Sequence, residues 1–282
     1  MPAFGWIKDP EDRRDLLFRR IFRPVAIPDE VDLSKNAGDV GDQGNEGSCV
    51  GWGHKALKDW HEKTQGDYPK GGLSARCIYN GARALENRLE EEGAYLRDAL
   101  KFLQQYGTCT NTRWPYKAQV DTDKDPRVVI HVDDMKNWKI TLYTRIDRFD
   151  GIPQALAAGR PVVAGINWPS NWITITVIED LPRSNGDYVG GHCIPFFKYN
   201  NKTQRLGFMN SWGKLWAKWG WATCSYDDIE SQMSDCDFWW TTDLVVPNPG
   251  PPVPPTPQPN ICKYLIPIRD SLNIALKQLG CS

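Results

Sequence analysis

The chain has 282 residues, with 34 Lys+Arg against 35 Asp+Glu and a formal net charge of -1. So even a balance supplies no electropositive field, which argues against a nucleic-acid or anionic-membrane partner, while the length suffices for a substantial buried core. Met1 to Arg20 is charged and lacks an apolar h-region, and no apolar run approaches membrane-spanning length, so the sequence carries no secretion address and no transmembrane segment.

In chain order, the first clear element begins at Cys49. Ser48 is a suitable N-cap, and Val50, Ala56, Leu57 and Trp60 continue as a helix, which puts a thiol at a helix N-terminus. Glu90-Glu91-Glu92 reads as a solvated helix end. Leu96, Ala99, Leu100 and Leu103 repeat at helical spacing before Gly107, so a second helix stops there and packs on the first. The second half offers strands at Ile140 to Tyr143, Val162 to Ile166, His192 to Tyr199, Leu206 to Ser211 and Gly220 to Cys224, with a turn at Asn200-Asn201 that makes a hairpin of the third and fourth. This is an α+β pattern: a helix-rich lobe, a β-rich lobe and a cleft between them.

Composition breaks at Pro247, after which eight of thirteen residues to Pro259 are proline. Such a stretch favours extended polyproline II, about 40 Å long at about 3.1 Å per residue. Beyond it, Ile268, Leu272, Ala275, Leu276 and Leu279 form an apolar face at helical spacing. Residues 260–282 cannot bury that face alone, so they are expected to fold back on the chain or to dock on a protein assembly partner.

Eight cysteines and four histidines show no zinc-type spacing, and neither a metal nor a cofactor is expected. His54 and His61, seven apart on one helix, read as a solvated face. Cys77, Cys109 and Cys193 read as small buried hydrophobes, while Cys224 with Cys236 and Cys262 with Cys281 are candidate local bridges. The thirteen tryptophans, four of them between Trp212 and Trp221, are read as core and cleft lining rather than as a stacking platform.

Chemistry concentrates in three stretches: Gln43-Gly-Asn-Glu-Gly-Ser-Cys49, Gly190-Gly191-His192-Cys193 and Met209-Asn210-Ser211-Trp212-Gly213. They supply a thiol, an imidazole, an amide to orient it and a second amide for an oxyanion, the four roles that a cysteine nucleophile needs. The helix N-terminus favours thiolate at Cys49, and the hairpin would bring Asn210 beside His192.

These residues resemble the papain-like cysteine peptidases. The resemblance rests on Gln43 to Cys49, on Gly191-His192 and on the run Asn210-Ser211-Trp212-Gly213-Lys-Leu-Trp216-Ala217-Lys-Trp-Gly220-Trp221. It is extended by Gly93 to Gly107, Trp114-Pro115-Tyr116 and Gly159 to Val163. It spans roughly Pro28 to Asp243, and Gly5 to Asp15 is similar to the leader of the family's bacterial and phage-type branch. Departures are Val50, Cys193 and Ala217, together with Glu46, which stands where many secreted relatives carry a disulfide cysteine. With 27 residues ahead of Pro28, the usual long inhibitory segment is expected to be missing.

The resemblance implies a papain-like two-lobed fold with the nucleophile on the helical lobe and His/Asn on the β-rich lobe. Together with the composition break, it gives an expected layout of a leader at 1–27, a catalytic domain at 28–246, a Pro-rich linker at 247–259 and a tail at 260–282. It implies Cys49 as nucleophile, His192 as general acid/base, Asn210 as orienter and Gln43 with the Cys49 N–H as oxyanion hole. Trp212 would shield the Asn–His bond, and Gly93, Gly190, Gly191 and Trp212 would meet the substrate. The implied activity is a cysteine endopeptidase working through a thioester acyl-enzyme; with no signal peptide or transmembrane segment in the sequence, a cytoplasmic or virion-associated place is expected. The alternative is a papain-fold structural component of an assembly such as a virion, held by its tail, with secondary or lost catalysis.

Overall fold

The computed structural model describes residues 3–22, 24–117 and 132–243; the proline-rich stretch, the tail and the Cys262–Cys281 pairing lie outside the described residues. The helices are α1 (Phe18–Ile21), α2 (Cys49–Gln65), α3 (Ala75–Leu85), α4 (Leu96–Gln105), α5 (Val132–Met135), α6 (Gly151–Ala157) and α7 (Tyr226–Glu230). The strands are β1 (Trp6–Ile7), β2 (Glu30–Asp32), β3 (Ala94–Tyr95), β4 (Leu142–Arg145), β5 (Val162–Pro169), β6 (Tyr188–Asn200), β7 (Arg205–Met209), β8 (Trp221–Ser225) and β9 (Asp237–Thr242).

The strands of the second half form one sheet in the order β4-β9-β5-β6-β7-β8, with β2 also paired to β6 and every neighbour antiparallel. Strand β9 escaped the sequence reading because Phe238-Trp239-Trp240 is apolar without alternation, the mark of a strand buried on both faces. Helix α2 runs between the sheet and the helical pair α3 and α4, so Cys49 to Glu62 are buried except Trp52. That position overturns the solvated reading of His54 and His61. Nδ1 of His54 bonds the Val50 carbonyl at 2.8 Å, and Nε2 of His61 bonds Thr241 Oγ1 at 3.0 Å, because the helix has protein on both sides. A Cβ at Gly53 would lie 2.5 Å from Cys193 Sγ, so the helix meets β6 more closely there than a side chain allows.

Cys77, Cys109 and Cys193 are buried. The Cys224–Cys236 bridge is not formed: Cys224 faces the Leu206 carbonyl within the β7–β8 pair, whereas Cys236 faces Gln232 Oε1 at 3.3 Å, so the thiols point at different neighbours. The acidic residues 90–92 lie in an exposed turn after α3 rather than on a helix end. Eight tryptophans are buried, among them Trp168, Trp172 and Trp239, whereas Trp219 is exposed.

Candidate active site

The loop before α2 fixes where the thiol stands. Ser48 occupies the N-cap position but its hydroxyl does not cap the helix; it bonds Tyr116 Oη at 2.7 Å. Arg76, on α3, grips the buried Glu46 carboxylate with both guanidinium nitrogens at 2.5 and 2.7 Å, and Tyr116 donates to the same carboxylate at 2.5 Å. Bidentate pairs of this kind combine energy with geometric specificity. Sequence reasoning identified Glu46 only as a missing cysteine; its partner on α3 was not visible from spacing.

Strand β6 carries His192, and Asn210 follows β7, as the hairpin requires. His192 Nε2 lies 2.7 Å from Asn210 Oδ1, which also accepts from the Ser211 N–H at 2.7 Å. The imidazole is enclosed by Trp168 and Trp212, with centroids 4.8 and 4.6 Å away, and Phe4 closes the remaining side at 6.0 Å. Its Nδ1 is buried with no hydrogen-bond partner among the described residues, so no such bond joins the ring to Cys49 here.

Phe4 belongs to the N-terminal segment, which runs through the cleft. Gly5 donates its N–H to the Gly191 carbonyl at 3.0 Å and accepts from the Ala94 N–H at 2.9 Å, and Trp6–Ile7 pairs in parallel with Ala94–Tyr95. The Ala3 carbonyl accepts from Gln43 Nε2 at 3.0 Å; the same amide nitrogen reaches the Glu46 carbonyl at 2.8 Å, and Ser211 Oγ fixes its Oε1 at 2.7 Å. The leader therefore lies in the cleft through residues 3–7.

The glycine expectation needs a one-residue correction. Gly93 has a left-handed φ of 85° and its N–H is committed to Tyr79 Oη at 2.9 Å, so the pairing group is Ala94. Gly93 supplies the turn instead. Gly190 and Gly191 both line the occupied cleft: a Cβ would fall 2.6 Å from the Phe4 ring at the first and 2.4 Å from the Trp6 carbonyl oxygen at the second.

Electrostatics follow from this closure. Burial pushes the Cys49 thiol up to about 12, partly offset by nearby backbone N–H groups including those of Cys193, Gly5 and Trp6. Burial also drives His192 down to about 4 against the favourable bond to Asn210. With the leader in place both groups are neutral at pH 7, the opposite of a thiolate–imidazolium pair.

A second cluster anchors the leader. Asp9 accepts from Trp239 Nε1 at 2.8 Å and from the Arg97 N–H at 3.2 Å, and its own N–H donates to Asp237 Oδ2 at 2.7 Å. Arg97 also binds the Pro10 carbonyl and reaches Asp15 at 3.4 Å; Arg145 reaches Asp15 at 3.6 Å and Asp237 at 2.9 Å. Burial, then the charge of Asp237, raises Asp9 to about 7. Among the described residues no group of three or more His, Cys, Asp or Glu is arranged to hold a metal, and no helix is long and apolar enough to cross a membrane.

The sequence profile of the papain family of cysteine proteases matches residues 27–238. An uncharacterized peptidase C1-like protein of Acanthamoeba polyphaga mimivirus is 28% identical over 275 residues, covering 86% of this chain and 88% of its own. Among solved structures, xylellain, a cysteine protease from Xylella fastidiosa, matches with a TM-score of 0.73 at 28% identity over 86% of this chain and 97% of that one. The bromelain protease from Ananas comosus shares the fold, with a TM-score of 0.59 at 18% identity over 77% of this chain and 100% of the other.

Proposed function

We propose, for a chain that belongs to the papain family of cysteine proteases, that it is an endopeptidase held latent by its own leader. Cys49 is the nucleophile. Once the cleft is open, His192 takes the thiol proton, and the thiolate attacks the scissile carbonyl carbon. Oxygen charge develops between Gln43 Nε2 and the Cys49 N–H, donors worth most in a dry, preorganised site. His192 then gives its proton to the departing amine, leaving a thioester. A water deprotonated by His192 attacks that thioester, and the second tetrahedral species expels the thiolate to free the carboxylic acid. Asn210 holds the imidazole by its Nε2 bond, so the other ring nitrogen remains for proton transfer.

The observation that carries this reading is that the cleft already binds a peptide backbone: Gly5 is clamped between Gly191 and Ala94 while the Ala3 carbonyl sits on the Gln43 amide. The test is alkylation of the intact chain by a thiol-directed epoxysuccinyl peptide, with the modified residue mapped, together with hydrolysis of a quenched casein substrate. Labelling at Cys49 and hydrolysis lost in Cys49→Ser are expected. Labelling at Cys77 or Cys109 with Cys49 untouched, or hydrolysis that survives Cys49→Ser, would overturn the assignment.

A further inference from the structure

The outer face of β2, β6, β7 and β8 carries a furrow that the cleft does not use. On β8 this face shows the half-buried Trp221 and Thr223, while Ala222 and Cys224 point into the core. Asp32, Lys198, Gly207 and Thr223 are successive cross-strand partners and form one row; Glu30, Asn200 and Arg205 form the next. Gly207 keeps the row open at its centre, where a Cβ would lie 2.9 Å from that of Lys198. The furrow has two adjoining parts that share Lys198: about 530 Å³ over Gly207, and about 300 Å³ beside Trp219 and Trp221.

The lining narrows the class of ligand. Lys198 lies 3.2 Å from Asp32, Arg205 3.3 Å from Asp180 and Lys218 2.5 Å from Glu179. Each of these cations therefore has its carboxylate, and among the described residues the furrow offers a phosphate chain no surplus positive charge. An added peptide strand finds no free edge at Thr223, whose N–H donates to the Glu179 carbonyl at 2.7 Å and whose carbonyl accepts from the Leu181 N–H at 2.9 Å. A hydroxyl suits such paired charges, because it donates to the carboxylate and accepts from the cation at once.

The indoles supply the apolar complement. Trp219 is 71% exposed, and its φ of 59° is a left-handed conformation that aromatic residues rarely adopt, so the loop holds a large ring in water. Trp221 lines the same part of the furrow, with Lys198 Nζ 5.3 Å from its ring centroid. An indole face is electron-rich and attracts the polarised C–H groups on the face of a pyranose ring.

We propose that this furrow binds a neutral oligosaccharide. Trp219 and Trp221 stack on sugar rings at one end, and the Asp32–Lys198 and Asp180–Arg205 pairs hold hydroxyls of the adjoining units. A chain rather than a single sugar is required, because the indoles and the Asp180–Arg205 pair line different parts. None of these residues belongs to the catalytic machinery, so the site works whether or not Cys49 does, and it anchors the protein to a glycan-bearing surface.

The experiment is electrophoresis of the full chain through native gels containing glycol chitin, hydroxyethyl cellulose or glycogen, followed by calorimetric titration with chitohexaose, cellohexaose or maltohexaose to match. Retardation by at least one polymer is expected. Trp219→Ala should weaken hexasaccharide binding about tenfold, whereas Trp219→Tyr, which keeps a stacking ring, should hold it within about threefold. Lys198→Met, which keeps the stem and removes the ammonium, should also cost about tenfold. Cys49 alkylation rates should be the same in all four proteins, which separates lost binding from a damaged fold. Retardation by none of the polymers, or binding unchanged in Trp219→Ala, would overturn the proposal. Retention on heparin with none on the neutral polymers would assign the furrow to a polyanion and overturn it equally.

Discussion

Replacing Gly5 by alanine should open the cleft. Gly5 does not have a positive φ, so alanine suits its backbone in the free leader, and the whole penalty arises on docking. The added Cβ would lie 1.9 Å from the Gly47 carbonyl oxygen, 2.3 Å from its carbon and 2.8 Å from its Cα, all rigid backbone at the nucleophile loop. Relieving that overlap requires the leader to retreat by more than an ångström, which breaks the bonds to Gly191 and from Ala94 at 3.0 and 2.9 Å. At about 1 kcal/mol net for each bond, the loss is about 2 kcal/mol before any Trp6 or Phe4 packing is counted, so open molecules should rise at least ~30-fold. The assay is the second-order rate of Cys49 alkylation, read by peptide mapping. A rate within twofold of the unmodified chain would refute the view that the leader sets access to the thiol.

Asn210→Ala should lower turnover sharply while an activated alkylating reagent still labels Cys49, and Gln43→Ala should lose about 2.7–4 kcal/mol of transition-state stabilisation with a smaller change in KM; unchanged kinetics in either would contradict its role. Arg76→Ala leaves the Glu46 carboxylate buried without its cation and should cost about 3–5 kcal/mol of stability in urea melts, whereas Arg76→Met paired with Glu46→Leu should restore most of it. Asp9 titrates near 7 when docked and in the usual carboxylate range when free, so the docked form binds the proton more tightly. Its contribution to docking is therefore full below about pH 4 and is lost as the pH rises through about 7. Measured as hydrogen-exchange protection at the Gly5 and Ala94 amides, docking should weaken across that window in the unmodified chain relative to Asp9→Asn; parallel profiles would refute the assignment. The comparison cancels the opposing His192 titration, which both proteins share.

The α+β two-lobed architecture was legible because its signals are local: the helix beginning at Cys49, the α4 repeat ending before Gly107, and the strand runs that became β5 to β8. Asn210 beside His192 followed from a hairpin, the shortest-range tertiary relation in the chain. What escaped was decided by packing between distant segments. His54 and His61 are buried because α2 is sandwiched, and nothing in their seven-residue spacing reports what lies opposite. Glu46 meets Arg76 across thirty residues, and Asp237 meets Trp6 across 231. Gly93 was placed one residue from the pairing group because a glycine signals a permissive backbone without saying whether it turns the chain or meets a partner.

The leader is joined to the body through residues 24–30, which are exposed throughout. While that connection is intact, the leader faces its cleft at an effective concentration in the millimolar range, so dilution of the protein does not relieve occupancy. One cut in the connection changes no contact in the cleft, yet turns the plug into an ordinary soluble peptide whose occupancy falls as the protein is diluted. Commitment to activity then needs neither digestion of the leader nor rearrangement of the catalytic lobes, and a nicked sample should behave differently at micromolar and nanomolar concentration while an intact one should not.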